Sequence, residues 1–117
     1  MIKTERIYSF PTGDSFRILV DRLWPRGLSK EKVKVDLWLK EIGPSNDLRK
    51  WFGHDPNKWS EFKNRFFLEL DQKNELVDQI VEKAKERDVV LLFGAKDEEH
   101  NNAVALKEYL EHKMKNK

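Results

Sequence analysis

Val89-Val90-Leu91-Leu92-Phe93-Gly94-Ala95 decides the fold. An unbroken apolar run that opens on two valines and stops at Gly94-Ala95 reads as a buried strand. On both sides the apolar spacing changes to the helical period. Downstream, Asp97 is placed to cap a helix reaching about Met114, with Ala103, Leu106 and Leu110 toward the core. Upstream, a helix over 74–87 carries Leu76, Ile80 and Ala84 on one side.

Further out, Asp55-Pro56 opens another helix, with Asp as cap and Pro at the first helical position. Trp59, Phe62, Phe66 and Leu70 recur along it every three or four residues and define one buried aromatic face. Ser45 or Asn46 caps a helix over 47–52. The segment before Gly43-Pro44 is ambiguous. Val33, Val35, Leu37 and Leu39 alternate with Lys34, Asp36, Trp38 and Lys40, a strand pattern, whereas Val35, Trp38, Leu39 and Ile42 fit a helical stripe. The β-branched opening and the Gly-Pro stop favour a strand ending near Glu41. Ser29-Lys30-Glu31-Lys32 reads as a capped helical turn.

Phe16-Arg17-Ile18-Leu19-Val20 is a second strand, apolar enough for burial on both faces as in a parallel sheet. It is broken by Trp24-Pro25-Arg26-Gly27. A first strand over 2–10 ends at Pro11-Thr12-Gly13-Asp14. The whole, residues 1–117, is expected to be one layered α/β domain, a mostly parallel central sheet of about four strands flanked by about four helices.

Composition narrows the function classes. A chain of 117 residues without cysteine suits a single domain, with no disulfide, thiolate metal site or cysteine nucleophile. The 23 basic and 21 acidic residues are interleaved and leave a net charge of only +2, too mild to argue for nucleic acid. The tail Lys113-Met114-Lys115-Asn116-Lys117 reads as a solvated helix end whose cations suit the macrodipole. No stretch approaches the roughly 20 apolar residues of a membrane span, and the first residues lack the apolar core of a signal peptide. A cytoplasmic location is expected. Nothing in the sequence sets an oligomeric state.

Ligands of open α/β sheets bind beyond the carboxyl ends of the strands. Two polar clusters fall there. Asp21, Arg22, Trp24 and Arg26 follow the strand ending at Val20, and Lys96, Asp97, Glu98, His100 and Asn101 follow Phe93. Arg22 and Arg26 offer forked donors that match phosphate or carboxylate, and Lys96 adds a point charge. Asp21 and His100 are the candidates for proton transfer, and Asn101 for orienting a ligand. Asn102, next along the helix, should point elsewhere. Each cluster also has a structural reading: an Asp21–Arg22 ion pair, Asp97 as a helix cap, Glu98 and Glu99 as acids of a first helical turn. His54-Asp55 could be an oriented imidazole at the site, although Asp55 as a helix cap explains it more simply. The three histidines lack ligand spacing, so no metal site is assigned; Asp21, Asp97 and Glu98 could hold magnesium without their spacing demanding it. No Walker loop, dinucleotide fingerprint or nucleophile elbow is present, so no cofactor is named.

Four ordered segments resemble the YeaO-like family of bacterial proteins within domain-of-unknown-function family 488 (DUF488). They are Val20-Asp21-Arg22-Leu23-Trp24-Pro25-Arg26-Gly27, Asp36-Leu37-Trp38-Leu39-Lys40-Glu41-Ile42-Gly43-Pro44-Ser45, Leu48-Arg49-Lys50-Trp51-Phe52-Gly53-His54-Asp55 and Ala95-Lys96-Asp97-Glu98-Glu99-His100-Asn101-Asn102-Ala103. The resemblance implies no activity. Cysteines suspected of metal binding in some relatives have no counterpart here. The wider group's strand-end pattern of Asp, Arg and a following Pro is similar to Asp21, Arg22 and Pro25, and it supports the strand over 33–41.

The function these residues favour is a binder of, or enzyme for, a small anionic ligand, nucleotide-like ones included. The alternatives are a nucleic-acid-associated module that stacks bases on Trp24 or Trp51, and a protein-interaction or regulatory domain without a ligand.

Overall fold

The computed structural model describes residues 1–9 and 13–115. The expected end of the first strand at Phe10, the Pro11-Thr12 half of the turn after it, and the last two residues of the basic tail lie outside them. Four strands, β1 (Ile2–Arg6), β2 (Phe16–Leu19), β3 (Leu37–Trp38) and β4 (Val89–Phe93), form one sheet in the order β1-β4-β2-β3. Every pairing is parallel. β4 is central: Val89 sits between Ile2 and Phe16, and Leu92 between Glu5 and Leu19. All five of its residues are buried, as its apolar run requires.

Four α-helices follow the local signals. α1 (Asn46–Phe52) is capped by the Ser45 hydroxyl, which accepts from the Leu48 amide at 3.2 Å. It stops at Gly53 in the left-handed region (φ 53°), whose amide donates to the Arg49 carbonyl at 3.0 Å. Asp55 caps a short 3₁₀ turn, Pro56–Lys58, accepting from the Asn57 amide at 3.0 Å, and α2 (Trp59–Leu70) continues from it. Phe62, Phe66 and Leu70 are its buried face. In α3 (Asn74–Glu86) the buried stripe is Val77, Ile80, Val81 and Ala84, with Leu76 at its margin. α4 (Asn102–Lys115) buries Ala103, Ala105, Leu106 and Leu110.

Strand alternation separates two cores. Ile18, Val89, Leu91 and Phe93 point to one face, where buried side chains of all four helices meet them. Leu19, Val90 and Leu92 point to the other face, joined by Ile7. Among the described residues no helix contributes to that core. Trp24, Leu28, Val33 and Val35, from the irregular connection between β2 and β3, cover it together with Trp38.

Two sequence expectations change here. The strand over 33–41 shrinks to Leu37–Trp38, followed by a 3₁₀ turn at Lys40–Ile42. The cause is Arg17, buried at 4% exposure. Its Nε donates to the Lys34 carbonyl at 2.6 Å and its amide to the Asp36 carboxylate at 2.8 Å, so side-chain bonds stand beside the one backbone bond left at this point, from the Asp36 amide to the Arg17 carbonyl at 2.8 Å. The capped turn expected at 29–32 forms as read: the Lys32 amide donates to the Ser29 carbonyl at 3.2 Å and lies 3.3 Å from its hydroxyl. β1 stops at Arg6, whose carbonyl accepts from the Ser9 amide at 2.9 Å. No helix among the described residues is long and apolar enough to cross a membrane.

Candidate functional site at the strand ends

The carboxyl ends of β2 and β4 lie side by side, and side chains close their free backbone groups. Asn102 Nδ2 donates to the Val20 carbonyl at 2.9 Å, Trp38 Nε1 to the Asp21 carbonyl at 2.7 Å, and Arg6 Nε to the Ala95 carbonyl at 3.1 Å. The Gly94 amide donates to Asp21 Oδ2 at 2.8 Å. A Cβ at Gly94 would lie 3.3 Å from that oxygen, so the bare backbone is what admits the carboxylate. Burial pushes the Asp21 carboxyl above its ordinary 3.8, and the Gly94 amide, Asn102 and the Arg49 charge pull the other way.

Above these ends is a hollow of about 380 Å³. Asp21, Arg22, Trp24 and Arg26 line it from the β2 side; Gly94, Ala95, Asn101 and Asn102 from the β4 side; Arg49, Phe52 and Phe62 from α1 and α2, and His54 from the turn between them. The structure thus brings Asp21, Arg22, Trp24, Arg26, Asn101 and His54 to one cavity. It does not bring Lys96, Asp97 or His100 there.

The last group has structural work instead. Asp97 Oδ1 accepts from the Glu99 and His100 amides at 2.9 and 3.0 Å, and Oδ2 lies 3.0 Å from His100 Nδ1. These amides and the imidazole hold the Asp97 carboxyl below its usual range. His100 also packs edge-on against Trp59, at 5.3 Å between ring centroids. Asp97 therefore shapes a tight turn before α4 rather than capping it, and Glu98 and Glu99 are not in a first helical turn. The cap is Asn101: its Oδ1 accepts from the Val104 amide at 3.0 Å, and its Nδ2 donates to the Asp97 carbonyl at 2.9 Å. Both of its polar groups are engaged and it is 3% exposed. The neighbouring Asn102, expected to point elsewhere, also lines the hollow.

The cations differ in freedom. Arg22 Nε donates to the Pro44 carbonyl at 2.7 Å, and its guanidinium lies 3.7 Å from Glu41, so the Asp21–Arg22 pair is not the arrangement formed. Arg49 donates to Asn46. The Arg26 guanidinium is exposed and has no bonding partner among the described residues. His54 is exposed and adopts φ 57°, the one non-glycine residue with positive φ among those described. Asp55 spends its carboxylate on the 3₁₀ turn, the simpler of the two roles considered for it. Asp21, Asp97 and Glu98 do not converge, and no group of three metal-ligating side chains forms among the described residues.

Sequence reasoning missed Arg49, Phe52 and Phe62 as parts of the hollow. Only the packing of α1 and α2 over the strand ends carries them there. A weak signal existed for Arg49 and Phe52, which lie within a segment shared with the resembled family.

Fold and hollow together define a small all-parallel α/β domain with a cation-lined strand-end cavity. The chain belongs to the YeaO-like DUF488 family: the family described as "Inactive DUF488-N3 subclade" matches residues 1–117. It is 37% identical over 110 residues to the uncharacterised protein YeaO of Escherichia coli K12, covering 93% of this chain and 96% of that one. It is 36% identical over 78 residues to the uncharacterised protein Rv3073c of Mycobacterium tuberculosis, 66% of each chain, and equally to Mb3100c of Mycobacterium bovis. No solved structure matches the chain.

Proposed function

We propose that the protein binds a small anionic ligand, bearing phosphate or carboxylate, in the strand-end hollow and does not turn it over. One observation carries this reading: Arg22, Arg26 and Arg49 line a single cavity whose one acid, Asp21, is already held by the Gly94 amide. Forked guanidinium donors suit such groups, and Arg26 is available to a ligand. Binding without turnover is favoured because only one of the two proton-transfer candidates reaches the cavity, and the Gly94 amide already engages it. Asp21 faces the hollow, whereas His100 is paired with Asp97 outside it. The description of the subclade as inactive supports the same side.

The test is a thermal-shift series with inorganic phosphate, phosphosugars, nucleotides and carboxylates. An anion present at about 100 times its dissociation constant adds about 2.7 kcal/mol, a rise in Tm of roughly 10 °C for a domain of this size. Arg26→Ala and Arg49→Ala should each weaken binding at least about tenfold while leaving the unliganded Tm within about 2 °C. If no anion raises Tm, or if the rise survives both substitutions, the reading falls. Recovery of a chemically altered ligand would overturn the non-catalytic half.

A further inference from the structure

We propose that the hollow is a slot for a flat ring that carries the anionic group, so that ring and charge are bound as one ligand; this rests on the anion-binding reading above. The volume is the first reason. A cavity of about 380 Å³ lies within the range of small-molecule sites. A lone phosphate or carboxylate would leave most of it to water lying against aromatic rings.

The walls are the second reason. Trp24 packs with the core on the loop-covered face, and Phe52 and Phe62 belong to the core on the helix-covered face. The ends of β2 and β4 run between these two cores, so aromatic rings from both border the cavity, half-buried Trp24 offering the larger surface and Phe52 and Phe62, at 5% and 2% exposure, closing the opposite side. The walls are fixed before any ligand arrives. Phe52 and Phe62 stack at 4.3 Å with 27° between their planes. Trp24 meets Trp38 edge to face at 5.4 Å, and its Nε1 donates to the Leu28 carbonyl at 2.6 Å. Preorganised rings lose little freedom on stacking.

The placement of charge is the third reason. Arg26 lies two residues after Trp24, and Arg49 lies one helical turn before Phe52. Each aromatic wall thus carries its own guanidinium, within reach of an anion attached to a ring held between them. The chemistry is that of an aryl phosphate or aryl carboxylate, of which a nucleoside monophosphate is one form.

Isothermal titration of the full chain with inorganic phosphate, phenyl phosphate, adenosine 5′-monophosphate and adenosine tests this. At least one ring-bearing phosphate should bind at least about fivefold more tightly than inorganic phosphate, the lower end of what one stacked ring contributes. It should also bind more tightly than adenosine. Trp24→Leu should erase the advantage over inorganic phosphate without abolishing phosphate binding. The comparison on the unsubstituted chain stands by itself if that variant does not fold. Preference for adenosine monophosphate over phenyl phosphate would support a nucleotide as the source, and the reverse a simple aryl anion. Equal affinity for inorganic and ring-bearing phosphates overturns the slot but leaves the anion reading intact. Binding of adenosine as tight as that of its monophosphate overturns the anion reading, and no binding by any probe overturns both.

Discussion

The two faces of the sheet are built from alternate residues of the same strands, yet they are closed differently. On one, Val89, Leu91 and Phe93 meet four helices whose buried side chains interlock. On the other, Val90 and Leu92 meet an irregular connection anchored by two indoles and by Arg17. The helix face carries most of the apolar burial, and hydrophobic stabilisation scales with that area. The loop face holds few fully buried apolar residues and depends on side-chain bonds such as Trp24 to Leu28 and Arg17 to Lys34. The hollow opens where the two closures meet, with Phe52 and Phe62 on its helix wall and Trp24 on its loop wall.

The comparison breaks most clearly in the cores. Phe66→Ala, on the helix face at 0% exposure, should cost about 3–5 kcal/mol in chemical denaturation. Leu19→Ala, equally buried but under the loop, should cost about 2–3 kcal/mol, because a loop can settle into the space left behind. A loss at Leu19 as large as at Phe66 would show the two faces to be equally rigid. At the junction, Gly94→Ala pushes a methyl toward Asp21 Oδ2 and should cost about 1 kcal/mol; an unchanged Tm would mean the carboxylate moves freely.

The smallest effect is electrostatic. Because the Asp21 carboxyl is raised above 3.8, the folded state holds this proton to higher pH than the unfolded chain does. Stability from this group is therefore greatest below the unfolded value and falls as pH rises through the window above 3.8. Asp21→Asn cannot ionise and keeps an oxygen for the Gly94 amide. Denaturation at pH 3.5 and 6.5 should show the variant gaining on the parent by about 1 kcal/mol or less at the higher pH. A variant that instead loses ground at pH 6.5 would mean that the Gly94, Asn102 and Arg49 interactions outweigh burial.

Where the signal was local, the sequence was legible. The apolar run at 89–93, the Asp55-Pro56 start and the Phe62/Phe66/Leu70 spacing each specify an element within a few residues, and each formed. The segment at 33–41 was not legible, since its fate depended on Arg17, whose guanidinium takes the Lys34 carbonyl from a distant strand. The helix start at Asp97 was misplaced for a related reason. Asp97 and Asn101 are both good caps, and the choice fell to Asn101 once Asp97 had closed its own turn with the His100 amide and ring. Of the candidate site, the two strand-end segments could be read from their position after apolar runs. Which of their side chains face the cavity could not.

The sequence by itself determined the family, the parallel α/β architecture and the location of polar residues at strand ends. Periodicity and turn chemistry act over a few residues and are written in the chain directly. Tertiary structure alone decided that all four helices take one face, that Arg49, Phe52 and Phe62 join the hollow, and that Asp97 and His100 stay out of it. Those outcomes depend on how distant surfaces pack and on which competing hydrogen bond is satisfied first, and neither is encoded in any single segment.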